Sequence, residues 1–454
     1  MNFGTQPATV LARGSTGQPS SSWGSSGARL TVPRTDSPKW GRFGPLAAVL
    51  ALGAAGFFAF SSSDTDTFEP VTEPAVNAAD LPLGSMFHVV DQIGARALWA
   101  QGITGAGVNV AVIDTGIAPV DGLLDSDKVV AAVDLSSEGA DQATAFVDAN
   151  GHGTHLAGII AGRETGADPA LAEQHPEWFL GVAPDAGIVS VKVGDRNGDV
   201  LPGGLVAGVD WVVDNSAALD IRVINLAVGT PSNLPYENDP LAAAVERAWD
   251  AGIVVVTAAG NDGADANGLL TPANDPYVIA VAGADVSESG INVADWSSSG
   301  DGVRNPDLSA PGAHIESLRA PGSDADVNHA DTGYVDAETF RGSGSSQAAA
   351  IVAGSAALLL DARPDLTNDQ VKAILTDTTT PLAAESQVAG SGLVDVAAAN
   401  SAAAPVATQT FSEAAVDTSV SQEPLTAYIW FPEAWSGASW SGASWSGASW
   451  SGAS

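Results

Sequence analysis

The sequence predicts an α/β fold in which helices cover both faces of a parallel sheet, and three observations carry that prediction. Short, apolar, β-branched runs recur along the chain; helical patterns separate them; and one long segment is apolar nearly all round. The first run, Val108–Ile113 (VNVAVI), ends at Asp114 and has the texture of a strand buried on both faces. Similar runs follow at Ile188–Val193 (IVSVKV), Val223–Val228 (VINLAV), Ile253–Ala258 (IVVVTA) and Tyr277–Ala282 (YVIAVA). Between them, His152–Gly162, Leu205–Val213 and Leu241–Ala251 have helical patterning. Ser346–Ala362 lacks a polar face and so belongs in the centre of the fold. Thr367-Asn-Asp-Gln370 is a capping box that opens a further helix containing Val371, Ile374 and Leu375.

Composition narrows the function classes. With 454 residues, 45% hydrophobic and 15% charged, the chain can bury a sizeable core. A formal charge of −36 repels phosphate backbones, so nucleic acid is excluded as a partner. The absence of cysteine rules out a disulfide scaffold, a thiolate metal site and thiol catalysis.

The ends read differently from the middle. Residues 1–42 carry Arg13, Arg29, Arg34, Lys39 and Arg42 against the single acid Asp36. The uncharged run 43–60 follows, and a basic flank before an apolar run marks an export signal or a single membrane anchor. Residues 61–87 are acidic and proline-containing and read as a linker, leaving 88–400 as the folded domain. The tail, 401–454, ends in four copies of WSGAS from Trp435. A five-residue period fits neither helix nor strand, so the tail reads as flexible; the competing reading makes its tryptophans adhesive.

Four residues of chemical interest stand at the ends of these elements. Asp114 closes the first strand, where ligand and catalytic groups of parallel sheets gather. His152, between Gly151 and Gly153, opens a buried helix. A zinc pair of His152 and His155 is the rival reading, but it lacks a third ligand nearby. Asn261 follows the IVVVTA strand, and its amide can donate into a site there. Ser346 opens the long buried helix, whose N-terminus favours negative charge; taken alone it would be read as a helix cap. Together they supply what acyl transfer needs: a hydroxyl nucleophile, a base, an acid that orients the base, and an oxyanion donor. Asp148 and Asp262 flank two of these residues and are read as turn formers or local charge. His88, His175, His314 and His329 lie outside the constellation and read as surface or loop residues.

The segments IDTG, GHGTHLAG, AAGN, DLSAPG (Asp307–Gly312) and GSSQAAAIVAG (Gly344–Gly354) together resemble the subtilisin family of serine proteases. The resemblance covers about residues 88–400 and implies a subtilisin-like three-layer sandwich. It makes Asp114, His152 and Ser346 a catalytic triad and Asn261 the oxyanion donor. It also implies that Ala227, Val228 and Gly229 pair with the backbone of a protein or peptide substrate, beside Ala259 and Gly260. Small residues at these positions lead to the expectation of room for a sizeable apolar side chain before the scissile bond. Three departures stand out around the nucleophile: Ser345 for the family's Thr, Gln347 for Met and Ala350 for Pro. The linker is also too short to be a folded inhibitory prodomain. The chemistry requires no cofactor. Structural calcium is common in the family, yet Asp195-Arg-Asn197-Gly-Asp199 departs from a calcium loop at Val200 and Val206 and reads as a turn. The rival from another class is a non-catalytic surface module that binds peptides on the same scaffold. Oligomeric state is left open.

Overall fold

The computed structural model describes residues 8–9, 76–123, 128–141, 144–201, 203–230, 234–266, 268–411 and 426–430. The basic region apart from residues 8–9, the apolar run 43–60 and the WSGAS repeats lie outside the described residues.

Six parallel strands form the centre of the sheet: β1 (Asn109–Asp114), β2 (Val129–Asp134), β3 (Gly187–Lys192), β4 (Ile221–Leu226), β5 (Val254–Ala258) and β6 (Ile279–Ser287). Their spatial order is β2-β3-β1-β4-β5-β6. β7 (Gly290–Val293) adds antiparallel to β6, and β8 (Leu308–Pro311) pairs parallel with β6. Beyond β2, Thr426–Trp430 pairs antiparallel, followed by Ala8–Thr9. A separate hairpin joins β9 (Ile315–Leu318) to β10 (Thr339–Gly342). β2 and the strands after β6 were not anticipated; VVAAVD is not set off from β1 by a helical pattern, and the others are only four residues long.

The helices that matter for the site are α1 (Met86–Gln92), α2 (Ala95–Trp99), α3 (His152–Ala161), α4 (Gly204–Asn215), α5 (Pro240–Asp250), α6 (Ser345–Ala362) and α7 (Asn368–Asp377). Alternation along β1 assigns two of them to opposite faces. Gly208 of α4 meets the side chains of Ile113, Val191 and Val193, whereas Gly153 of α3 meets the carboxylate of the next residue, Asp114. α6 lies on the α3 side, where Gly354 approaches Ile160 and Val182. The architecture is therefore helix, sheet, helix in three layers. α6 is long and apolar enough to cross a membrane, yet it is buried almost entirely in this core. The capping box at α7 forms as expected: Thr367 accepts from the Gln370 N–H and Gln370 accepts from the Thr367 N–H.

The folded body starts earlier than residue 88. Ser85 and Met86 are buried, Gln92 donates to the Leu83 carbonyl, and the Glu316 N–H donates to the Gly84 carbonyl. Residues 77–87, read as linker, are thus partly folded, because α1 needs its own N-terminal turn and an apolar residue at its start. At the other end, residues 402–411 run along the domain. Gln370 donates to the Pro405 carbonyl, and the Phe411 ring packs edge-on against Tyr277.

β1 sits where the chain's strand order changes direction, with β3 on one side and β4 on the other. In open parallel sheets a crevice forms at the carboxyl ends of the strands at such a point. Asp114, Ala227 and Asn261 all leave the sheet at those ends, after β1, β4 and β5.

Candidate active site

Asp114 is buried at the end of β1, and its Oδ1 accepts from the Thr115 N–H at 2.8 Å. Both carboxylate oxygens face the imidazole of His152, 2.8 and 2.9 Å from Nδ1. With Nδ1–H held there, the lone pair resides on Nε2, the tautomer a general base needs. The tight entry of α3 makes this pairing. Gly151 has φ +107°, and a Cβ on residue 153 would stand 2.2 Å from the Gly116 carbonyl oxygen, so only glycine lets α3 approach β1 so closely.

Asp148 holds that entry together. It is 1% exposed and accepts at Oδ1 from the Thr115 hydroxyl (2.9 Å) and the N–H groups of Asn150 (3.0 Å) and Gly151 (2.7 Å). Its Oδ2 accepts from the N–H (2.8 Å) and hydroxyl (2.7 Å) of Thr154. Burial pulls the His152 pKa down, but the charge of Asp114, its hydrogen bond and the more distant charge of Asp148 outweigh this, and the pKa lies above the ordinary histidine value. His155, one turn on, faces the Phe340 carbonyl at 3.1 Å rather than joining His152 in a metal pair. Burial and the neighbouring His152 charge lower its pKa to about 4, so it is neutral at pH 7.

Ser346 lies in the first turn of α6 and is 9% exposed. Its hydroxyl donates to the Ala227 carbonyl at 3.0 Å. Ala227 follows β4, and Val112 of β1 pairs with Asn225, so Asp114 and Ala227 leave adjacent strands at the same level. This brings the serine and the Asp–His pair to one end of the sheet. Asn261 is fixed by Ser345, whose N–H and hydroxyl both donate to Asn261 Oδ1 at 2.9 Å. The Ser345 hydroxyl accepts in turn from the Gly260 N–H at 3.1 Å. With Oδ1 taken, the free face of the Asn261 amide is its NH2, a donor beside the start of α6.

The pattern of the Subtilase family matches residues 105–395. The chain is 37% identical over 287 residues to serine protease AprX of Bacillus subtilis (strain 168), spanning 61% of this chain and 62% of that protein's length. It is 35% identical over 309 residues to subtilisin DY of Bacillus licheniformis, covering 68% of this chain and 96% of the relative. A thermostable alkaline protease of Halalkalibacterium halodurans is 35% identical over 65% of this chain and 68% of its own.

The chain belongs to the subtilase family.

That family consists of subtilisin-like serine endopeptidases, and each departure around this subtilase's Ser346 has a visible accommodation. Ser345 keeps the hydroxyl that clamps Asn261. Gln347 is buried, with its amide near His155 and Gly342. α6 runs unbroken through Ala350. Among the residues expected to meet substrate, Ala227, Ala259 and Gly260 are buried while Val228 and Gly229 are partly exposed, beyond the carboxyl ends of β4 and β5. The anticipated room there is reduced by Leu270, whose side chain stands against both Gly229 and Gly260. Nothing in the local pattern around Leu270 signals that position, because it reaches these glycines through an irregular loop.

The Asp195–Asp199 segment closes as a turn. Asp195 Oδ1 accepts from the N–H groups of Asn197 and Asp199, so backbone amides satisfy the carboxylate oxygen. Among the described residues, no group of three or more His, Asp or Glu side chains could hold a metal ion.

Proposed function

We propose that the chain hydrolyses peptide bonds in protein or peptide substrates through an acyl-enzyme formed on Ser346. The observation that carries this reading is the Asp114–His152 pair, in which a buried carboxylate grips Nδ1 and leaves Nε2 as the base. A turn of the Ser346 side chain about Cα–Cβ takes its hydroxyl from the Ala227 carbonyl toward that base. Oγ then attacks the scissile carbonyl carbon as Nε2 takes its proton. The oxyanion formed accepts from the Asn261 NH2 and the Ser346 N–H, at the positive end of α6. His152 returns the proton to the leaving amine, and water repeats the sequence to release the acid. Asp114 stabilises the imidazolium in both halves.

The substrate lies extended along Ala227-Val228-Gly229, adding main-chain hydrogen bonds at the end of β4. Calcium, where it binds, plays a structural part and none in these steps. The basic residues before the run 43–60 support export, with that run as signal or anchor and the domain outside the membrane. Labelling by a fluorophosphonate probe tests the catalytic assignment. The folded chain is expected to label, and Ser346→Ala to lose the label. A folded wild-type chain that takes no label would instead favour the non-catalytic peptide-binding module.

A further inference from the structure

We infer that Leu270 makes this a peptidase for small residues, such as Gly, Ala or Ser, immediately before the scissile bond. The inference rests on the peptidase reading and adds the substrate class to it. On the substrate placement proposed above, the side chain preceding the scissile bond lies between Ala227–Gly229 and Ala259–Gly260, whose glycines present no side-chain walls. Leu270 occupies that space. A Cβ on Gly229 would lie 2.8 Å from Leu270 Cβ and 2.9 Å from its Cδ1. A Cβ on Gly260 would lie 2.7 Å from Ser298 Oγ, 3.0 Å from Leu270 Cγ and 3.2 Å from its Cδ1. One isobutyl group thus packs against both glycine faces at once.

The backbone holds it there. The Leu270 N–H donates to the Ala259 carbonyl at 3.3 Å, and Thr271 exchanges two hydrogen bonds with Thr230, at 3.1 and 2.9 Å. The segment is zipped to the loops after both β4 and β5, so the Leu270 backbone cannot move aside without breaking bonds to each, and its Cα stays between them. It is only half-buried, which leaves its outer surface as the floor that an incoming side chain meets. A methyl or hydroxymethyl group fits above that floor, whereas an aromatic ring requires the volume Leu270 occupies.

Peptide anilides that differ only in the residue before the scissile amide (Ala, Leu or Phe) test this with the full chain. The wild type is expected to show kcat/KM for Ala exceeding that for Phe by about tenfold or more. Leu270→Ala and Leu270→Gly are expected to raise the Phe-to-Ala ratio by about 10–200-fold, the range for gaining or losing apolar fit in a pocket. Fluorophosphonate labelling of Ser346 is followed in parallel. Normal labelling with Phe preferred by the wild type, or with an unchanged ratio in the variants, overturns the Leu270 assignment and leaves the peptidase standing. Absence of labelling in the folded wild type overturns both. Should neither variant label, the wild-type preference alone decides.

Discussion

Replacing Asp148 by Asn separates charge from shape beside His152, the proposed general base. The carboxylate accepts five hydrogen bonds, three at Oδ1 and two at Oδ2, and is almost wholly buried. An amide of the same shape can accept at only one of the two positions. With its oxygen placed at Oδ1, its NH2 confronts the N–H of Thr154, while the Thr154 hydroxyl can rotate to accept. One buried N–H is then left unpaired, at a cost of about 1–3 kcal/mol, and the remaining bonds lose their charge assistance. A destabilisation of about 2–4 kcal/mol is expected in denaturant titration at pH 7. The second readout is kinetic. Asp148 is one of the charges that hold the His152 pKa above the ordinary value. Without it the imidazolium is less favoured, the His152 pKa falls, and the acid limb of kcat/KM moves to lower pH. A residue that only shaped the loop would lower stability without moving that limb. A folded Asp148→Asn chain with an unmoved acid limb, or one shifted to higher pH, would refute the electrostatic role.

Other perturbations follow from the same geometry. Asn261→Ala is expected to lower kcat about 10²–10³-fold in a steady-state peptide assay while leaving measurable turnover. Ser345→Ala removes the hydroxyl donor to Asn261 Oδ1 but keeps the N–H donor. Its loss in kcat should therefore be smaller than that of Asn261→Ala and absent in the Asn261→Ala background, as a double-mutant cycle would read it. His155 is neutral when folded, with a pKa of about 4 against 6.5 for the ordinary side chain. The unfolded chain takes up that proton first as pH falls, so this contribution to stability is complete above 6.5 and is lost between about 6.5 and 4. Between pH 7 and 4 the wild type should lose roughly 3 kcal/mol more than His155→Gln in paired unfolding titrations.

The fold was legible in the sequence because its central strands are buried on both faces. Such strands read as short runs rich in β-branched residues, and VNVAVI, IVSVKV, VINLAV and IVVVTA each fall within a residue or two of a strand in the structure. Tyr277–Ala282 located its strand but not its length, since β6 continues to Ser287 through progressively less buried residues where β7 pairs with it. β2 escapes this reading because, among the described residues, no helix separates it from β1, so it falls outside the strand–helix alternation, and pairing with neighbouring β3 determines its conformation. The start of the domain was misplaced because residues 77–87 carry no periodicity; what orders them is contact with β9, a non-local cause.

The site divides along the same line. Asp114, His152, Asn261 and Ser346 stand out as candidates because each lies at or just beyond the end of a regular element. The groups that aim these side chains are not recognisable in that way. Asp148 looks like any acid in a turn until its five donors are counted, and Ser345 looks like a spare serine until its hydroxyl is found between Asn261 and Gly260. Leu270 is the extreme case: it stands in an irregular loop, and two glycines that seemed to open a pocket instead receive its side chain. A glycine in a sequence announces the lack of a side chain at that position, and the structure alone decides whether the space so created is left for a substrate or taken by the protein itself.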